Sequence, residues 1–358
     1  MPEITSDDLR AAVAAGHLTE AQAASVSVLA QQRAGARQVE DEPFELFKGF
    51  SEIFVAVGLG ILILGGFGLA LAINIPVMMT IGAACIWMLA RYFTLKRRMM
   101  LPSILLVTAF GLAVLAVAAS LLDLPLSWED VDPLIFADPN VLPWLALSGI
   151  VAAALLIWFR FFRVPFTMFL LGLTGLFAVL SLAVTSNPVG MSENPFDLGA
   201  GSVLAWGTLL VGLLALAGGT WFDMRDPHRL GRMSASGFWL HIVAATALVH
   251  TIAQSCLALG PGLGYWLMAA ALVVIALLAL VLDRRSFLTA GIGYFIFLLS
   301  YATNLTGDGG NWIFVFLFMG VFLTLLGSYW IQVRCALMRA LPSFPGKDRL
   351  PPYGAEAA

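Results

Sequence analysis

Charge is scarce in this chain. Only 11% of its 358 residues are charged, against roughly 25% in a soluble domain. So few charges cannot solvate a water-facing surface of this size. Lipid is the solvent that fits, because 60% of the residues are hydrophobic and the mean hydropathy is +0.91. The net charge of −3 describes no basic surface, which excludes nucleic acid as a partner. Cysteine is also scarce. Of the three, Cys85 and Cys256 fall inside apolar runs and Cys335 at the end of the last. An odd number with none in an outer loop excludes a structural disulfide framework.

Other signals are missing too. Residues 1–52 carry acids and no apolar run of span length, so the start does not read as a signal peptide, and the first span acts as the insertion signal. The apolar runs do not alternate, which excludes a β-barrel. There is no nucleotide-binding loop, no nucleophile elbow, no His-x-x-x-His and no Glu-x-x-His pair. The expectation is therefore no catalytic residue, no cofactor and no metal site.

Ten apolar runs are present, near 53–73, 75–92, 101–122, 141–159, 164–185, 199–221, 237–259, 264–282, 286–305 and 311–333. Most reach the roughly 20 residues that cross the hydrocarbon as a helix. The expected fold is all-α: a polytopic membrane protein of about ten transmembrane helices.

The cations orient these spans. With the N-terminus inside, every Lys and Arg falls in a cytoplasmic segment: Arg10, Arg33, Arg37 and Lys48 before the first span, Arg91 and Lys96 to Arg98, Arg160 and Arg163, Arg225 to Arg232, Arg284 and Arg285, and the tail from Arg334 to Arg349. The outer loops carry acids instead, among them Asp123, Glu129, Asp130, Asp132, Asp138, Glu193, Asp197 and Asp308. This is the positive-inside pattern, and a missed span would invert every later loop. It places both termini inside, in a bacterial inner membrane. The divisions are a cytoplasmic helical hairpin over 1–36, a linker over 37–51, a membrane domain over 52–335 and a cytoplasmic tail over 336–358. Three inner turns share a basic cluster followed by a new span, at Arg98, Arg163 and Arg284, a weak internal echo.

The hairpin has readable punctuation. Gly16 is a stop signal, and Thr19-Glu20-Ala21-Gln22 is a capping box for a second helix. It is too small to bury a core alone, so it packs on the membrane domain or on a cytoplasmic protein partner. The bilayer is the other expected partner, and homo-oligomerisation is left open.

Polar groups within the spans are the candidate sites. His241 and His250 are nine positions apart, which at about 100° per residue puts them on opposite helix faces. His250 and Gln254 share one face with Thr251 beside them, a polar stripe that reads as interhelical hydrogen bonding or as a substrate site. No carboxylate is expected at depth, and Glu52 at the entrance of the first span is the nearest usable one. In the longest outer loop Glu129, Asp130 and Asp132 form an acidic group. Gly58 to Gly68 form a glycine-rich stretch suited to close helix packing.

The segment Ala15-Gly16-His17-Leu18-Thr19-Glu20-Ala21-Gln22-Ala23, followed by a polar linker and Gly-rich spans, resembles a bacterial predicted-membrane-protein family catalogued as domain of unknown function 2157. The resemblance implies a membrane protein and brings no established activity. Function is thus expected to be non-enzymatic: an envelope component, or a transporter-like carrier of neutral or amphipathic solutes. The alternative is a membrane-embedded enzyme acting on lipid or glycan at the outer face through the acidic loop.

Overall fold

The computed structural model describes residues 12–13, 15–19, 22, 26, 50–124, 140–186, 194–226, 232–260, 262–304, 312–351 and 353. Among them are helices and no β-strand. The helices are α1 (Phe50–Ile73), α2 (Ile75–Ala90), α3 (Met100–Leu121), α4 (Leu142–Phe162), α5 (Thr167–Ser186), α6 (Val203–Asp223), α7 (Arg232–Ala258), α8 (Leu263–Leu282), α9 (Ser286–Asn304), α10 (Trp312–Ser328) and α11 (Trp330–Ala340). A π-helical turn, Arg91–Lys96, extends α2. At the N-terminus the capping box forms: Thr19 N–H donates to Gln22 Oε1 at 2.9 Å, and Gln22 N–H to Thr19 Oγ1 at 3.3 Å. Gly16 takes φ +76°, the left-handed turn for which glycine is suited.

Among the described residues eight helices are long and apolar enough to cross a membrane, and a ninth is reached if the bent pair α10–α11 counts as one span. The apolar part of α9, Ser286–Tyr301, is shorter. The chain is an all-helical, polytopic membrane protein. The expected tenth span, 311–333, is not one straight helix: its chain bends by 69° between Ser328 and Trp330. Beyond the bend, α11 buries Trp330, Arg334 and Met338, a four-residue spacing that defines one face. The boundary expected at 335 lies inside this helix. Residues after it fold back on the bundle, where Leu350 is buried and Phe344 and Tyr353 pack into the core.

Local chemistry explains the helix ends. Asn74 Oδ1 accepts Val77 N–H at 3.0 Å at the start of α2, beside Pro76 in its first turn. Ser202 caps α6. Several serine and threonine hydroxyls within the spans return to their own helix, as Thr108 to the Ile104 carbonyl and Thr174 to the Leu170 carbonyl. That satisfies them where no water is available.

Two large apolar clusters hold the bundle, with a smaller one of Ala70, Met79 and Ala113 beside them. Trp158 and Phe162 of α4, Trp87 of α2 and Phe110 of α3 form one, with ring centroids of Trp158 and Phe162 4.4 Å apart. Phe287, Trp330, Met338 and the inner faces of α7 and α8 form the other. Leucines such as Leu62 and Leu64 stand exposed on the outside of α1, as lipid-facing side chains do. Close helix approach is concentrated in α5 to α7. A Cβ on Gly172 would meet Val243 at 2.6 Å, and one on Gly212 would meet Leu248 at 2.8 Å. The glycine-rich stretch of α1 does not pack this way: Gly58, Gly65, Gly66 and Gly68 have no such neighbour within 4 Å, and Gly60 only Leu105.

The up-and-down path brings the ends of α2, α4, α6 and α8 to the same end of the bundle as the starts of α3, α5, α7 and α9. Arg98, Arg163, Arg225 and Arg285 lie there, and we call it the basic end. The three basic turns share a feature beyond composition. Each contains a non-glycine residue in the left-handed region: Arg98, Arg163 and Asp283, at φ +54°, +50° and +57°.

Candidate functional site

The expected polar stripe is assembled by α6, α7, α9 and the segment before α6. His250 Nδ1 lies 2.5 Å from the Tyr294 hydroxyl, and Gln254 Nε2 reaches the same hydroxyl at 3.5 Å. Phe196 stands edge-on to the His250 ring, centroids 4.5 Å apart. Thr251 is fully buried and meets Thr208 of α6 hydroxyl to hydroxyl at 2.8 Å. Asn194 donates to the Gln254 carbonyl at 2.9 Å, and Ser255 donates to the Phe196 carbonyl at 2.8 Å. These bonds tie α7 to its neighbours and to the 194–198 turn. His241 joins none of them, as its place on another face of α7 requires.

Glu52 is buried at the start of α1 and accepts the Met100 N–H at 3.2 Å. Its carboxylate therefore meets the start of α3, where the helix dipole favours negative charge. Nearby in sequence, Ser103 and Thr94 hydroxyls lie 2.9 Å apart. Glu129, Asp130 and Asp132 lie outside the described residues. No group of three or more His, Cys, Asp or Glu suited to a metal ion occurs among the described residues.

A second cluster at the basic end was not expected. Asp223, the last residue of α6, is 2% exposed, while His241 and Arg284 are fully buried. Arg284 Nε donates to Asp223 Oδ2 at 3.1 Å and its Nη2 to Asp223 Oδ1, a two-pronged grip. The same Nη2 reaches the Ser234 carbonyl and hydroxyl, each at 3.1 Å. His241 Nε2 lies 2.9 Å from Asp223 Oδ2. Glycines make the room: a Cβ on Gly219 would meet His241 Cε1 at 2.8 Å, and one on Gly237 would meet Asp223 Oδ1 at 2.5 Å. The interior is thus less bare of ionisable groups than the sequence suggests. Asp283, one residue before Arg284, turns the other way. It accepts the Trp330 indole N–H at 2.7 Å and lies 3.7 Å from Arg334. Arg334 also holds the carbonyls of Leu280 and Pro351, at 3.1 and 2.7 Å. Together these bonds link α6, α7, α8, α11 and the returning tail.

Spaces in the bundle are of two kinds. A half-enclosed cleft of about 230 Å³ between α8, α9 and α10 has a wholly apolar lining that includes Leu272, Gly291, Phe295, Met319 and Phe322. A second apolar cleft, about 260 Å³, lies between α3, α4 and α5. At the basic end a pocket of about 450 Å³ opens between α7 and α9 beside Arg285 and Ser286.

No protein-family model, curated protein or solved structure matches this chain.

Proposed function

We propose that this chain is a non-enzymatic protein of the bacterial inner membrane that binds and carries an amphipathic solute bearing an acyl chain, with both termini in the cytoplasm. The observation that carries this reading is the α8–α10 cleft. Its walls are apolar throughout and it is only half enclosed, so an apolar chain that enters it leaves no polar group unsatisfied. A hydrated ion would meet no ligand there. The buried charged pairs link helices, Arg284 with Asp223 and Arg334 with Asp283, which argues for a structural rather than a cargo-binding role.

The orientation rests on the cations of the basic end, which the positive-inside rule assigns to the cytoplasm. The likeness of residues 15–23 to domain of unknown function 2157 supports kinship with that family of membrane proteins and adds no activity. The hairpin remains a proposed contact for a cytoplasmic protein.

The test is movement of a fluorescent single-chain amphiphile across proteoliposomes. Gly291→Leu and Ala276→Phe place bulk in the cleft, and both should abolish protein-dependent movement. Unchanged movement in both correctly folded variants would overturn the reading.

A further inference from the structure

A different pocket has the chemistry of a phosphate site. It lies between α7 and α9 at the basic end, on residues that the apolar cleft does not use. Phe238, Ile242 and Thr246 form one wall, and Arg285, Ser286, Thr289 and Ala290 the other. From Phe238 to Thr246 is about 12 Å along the helix axis. The charged group stands at one end of that length and the apolar side chains lead away from it toward the middle of the bundle.

Three observations converge on an anion. First, Arg285 is the cation that the interior network leaves to this pocket. Arg284 is consumed by Asp223 and Ser234, whereas Arg285 has no carboxylate partner among the described residues; its guanidinium carbon lies 5.4 Å from the centre of the Trp330 ring. Second, the Ser286 hydroxyl is shielded from solvent and has no hydrogen-bond partner among the described residues. A buried donor without a partner is costly, and an anionic oxygen would supply one. Third, Ser286 begins α9; the Arg285 carbonyl takes the Leu288 and Thr289 N–H groups, which leaves those of Ser286 and Phe287 without a partner within the helix. The Thr289 hydroxyl is already given to the Ser286 carbonyl at 2.8 Å and is not needed.

We infer that this pocket holds the phosphodiester of an anionic phospholipid. Arg285 supplies the charge, Ser286 and the α9 start supply hydrogen bonds, and the chain lies along Phe238 and Ile242. The apolar wall is what favours a lipid over free phosphate, because inorganic phosphate would leave it uncovered. Basic pockets between spans on the cytoplasmic side suit such headgroups. The inference shares with the proposed function the premise that the basic end faces the cytoplasmic leaflet. It does not depend on the α8–α10 cleft.

The experiment is native mass spectrometry of the full chain released from nanodiscs of phosphatidylglycerol mixed with phosphatidylcholine. Bound phosphatidylglycerol should be retained over phosphatidylcholine, and Arg285→Gln should lower that retention about fivefold. Ser286→Val should lower it as well. Arg339→Gln removes the same charge from an exposed position of α11 and should change nothing. Equal retention in Arg285→Gln and Arg339→Gln overturns the inference. So does thermal stabilisation of lipid-free protein by inorganic phosphate that Arg285→Gln abolishes, since the site would then take a free anion. Should Arg285→Gln not fold, Arg285→Met and Ser286→Val carry the same comparison. Gly291→Leu should leave retention intact, which separates this site from the proposed cargo cleft.

Discussion

Arg284 grips both carboxylate oxygens of Asp223, which stands 61 positions earlier in the chain. The pair joins the end of α6 to the turn between α8 and α9, and neither side chain reaches solvent. Removing one partner of a buried pair leaves an uncompensated charge, which costs about 3–5 kcal/mol. Arg284→Met and Asp223→Leu should each destabilise the detergent-solubilised protein by that order. The double variant should lose less than the sum of the two, because no lone charge remains. Denaturant titration of all three, followed by tryptophan fluorescence, reads the coupling directly. Strict additivity would count against a working pair.

The glycines around this cluster make a steric prediction. Gly219→Ala sets a methyl against the His241 ring, and Gly237→Ala sets one against Asp223 Oδ1. Each should cost about 1–3 kcal/mol, the range for overpacking. Gly293 has nothing within 4 Å of its would-be Cβ. There Gly293→Ala should be neutral or slightly stabilising, since alanine is the better helix former. Melting temperatures of the three variants in one detergent check the contrast.

Tyr294 is the hub of the other polar cluster, bonded to His250 and within reach of Gln254. Interhelical hydrogen bonds in membranes contribute about 0.6 kcal/mol on average, at most about 1.7. Tyr294→Phe should therefore lower stability modestly and leave the fold intact. His250→Phe should do the same and leave amphiphile movement unchanged, because His250 is not part of the α8–α10 cleft. A movement defect with intact expression would instead make His250 part of the carrying mechanism.

Much of the architecture was legible in the sequence, for a physical reason: apolar runs of span length and interrupting cations are local signals. The capping box at Thr19 and Gln22 and the stripe at His250 and Gln254 were readable because their members sit three or four positions apart, whereas Tyr294, the partner of the stripe, stands 44 positions from His250. The Asp223–Arg284 pair was not. Arg284 lies beside Arg285 and reads as another loop cation, and nothing local tells the two apart, although one is buried against α6 and the other borders a pocket. The left-handed turn at Asp283, which accompanies the opposed placement of Asp283 and Arg284, carries no glycine to announce it. The break at Tyr329 was likewise hidden inside an apolar run. Its second limb turns amphipathic only at Arg334, where Asp283 and the returning tail meet it.

Orientation makes its own prediction. A green fluorescent reporter at the C-terminus should fold and fluoresce, as it does only in the cytoplasm. Alkaline phosphatase inserted within 125–139 should be active, as it is only outside. The reverse pair of results would place the basic end outside.

The central claim is that an acyl chain occupies the α8–α10 cleft, and a photoactivatable fatty acid tests it most directly. After irradiation in nanodiscs, peptide mapping should find the label concentrated on Leu272, Phe295, Met319 and Phe322, and Gly291→Leu should remove it. Label spread evenly over outward leucines such as Leu62 and Leu64 of α1, and unaffected by Gly291→Leu, would contradict the account.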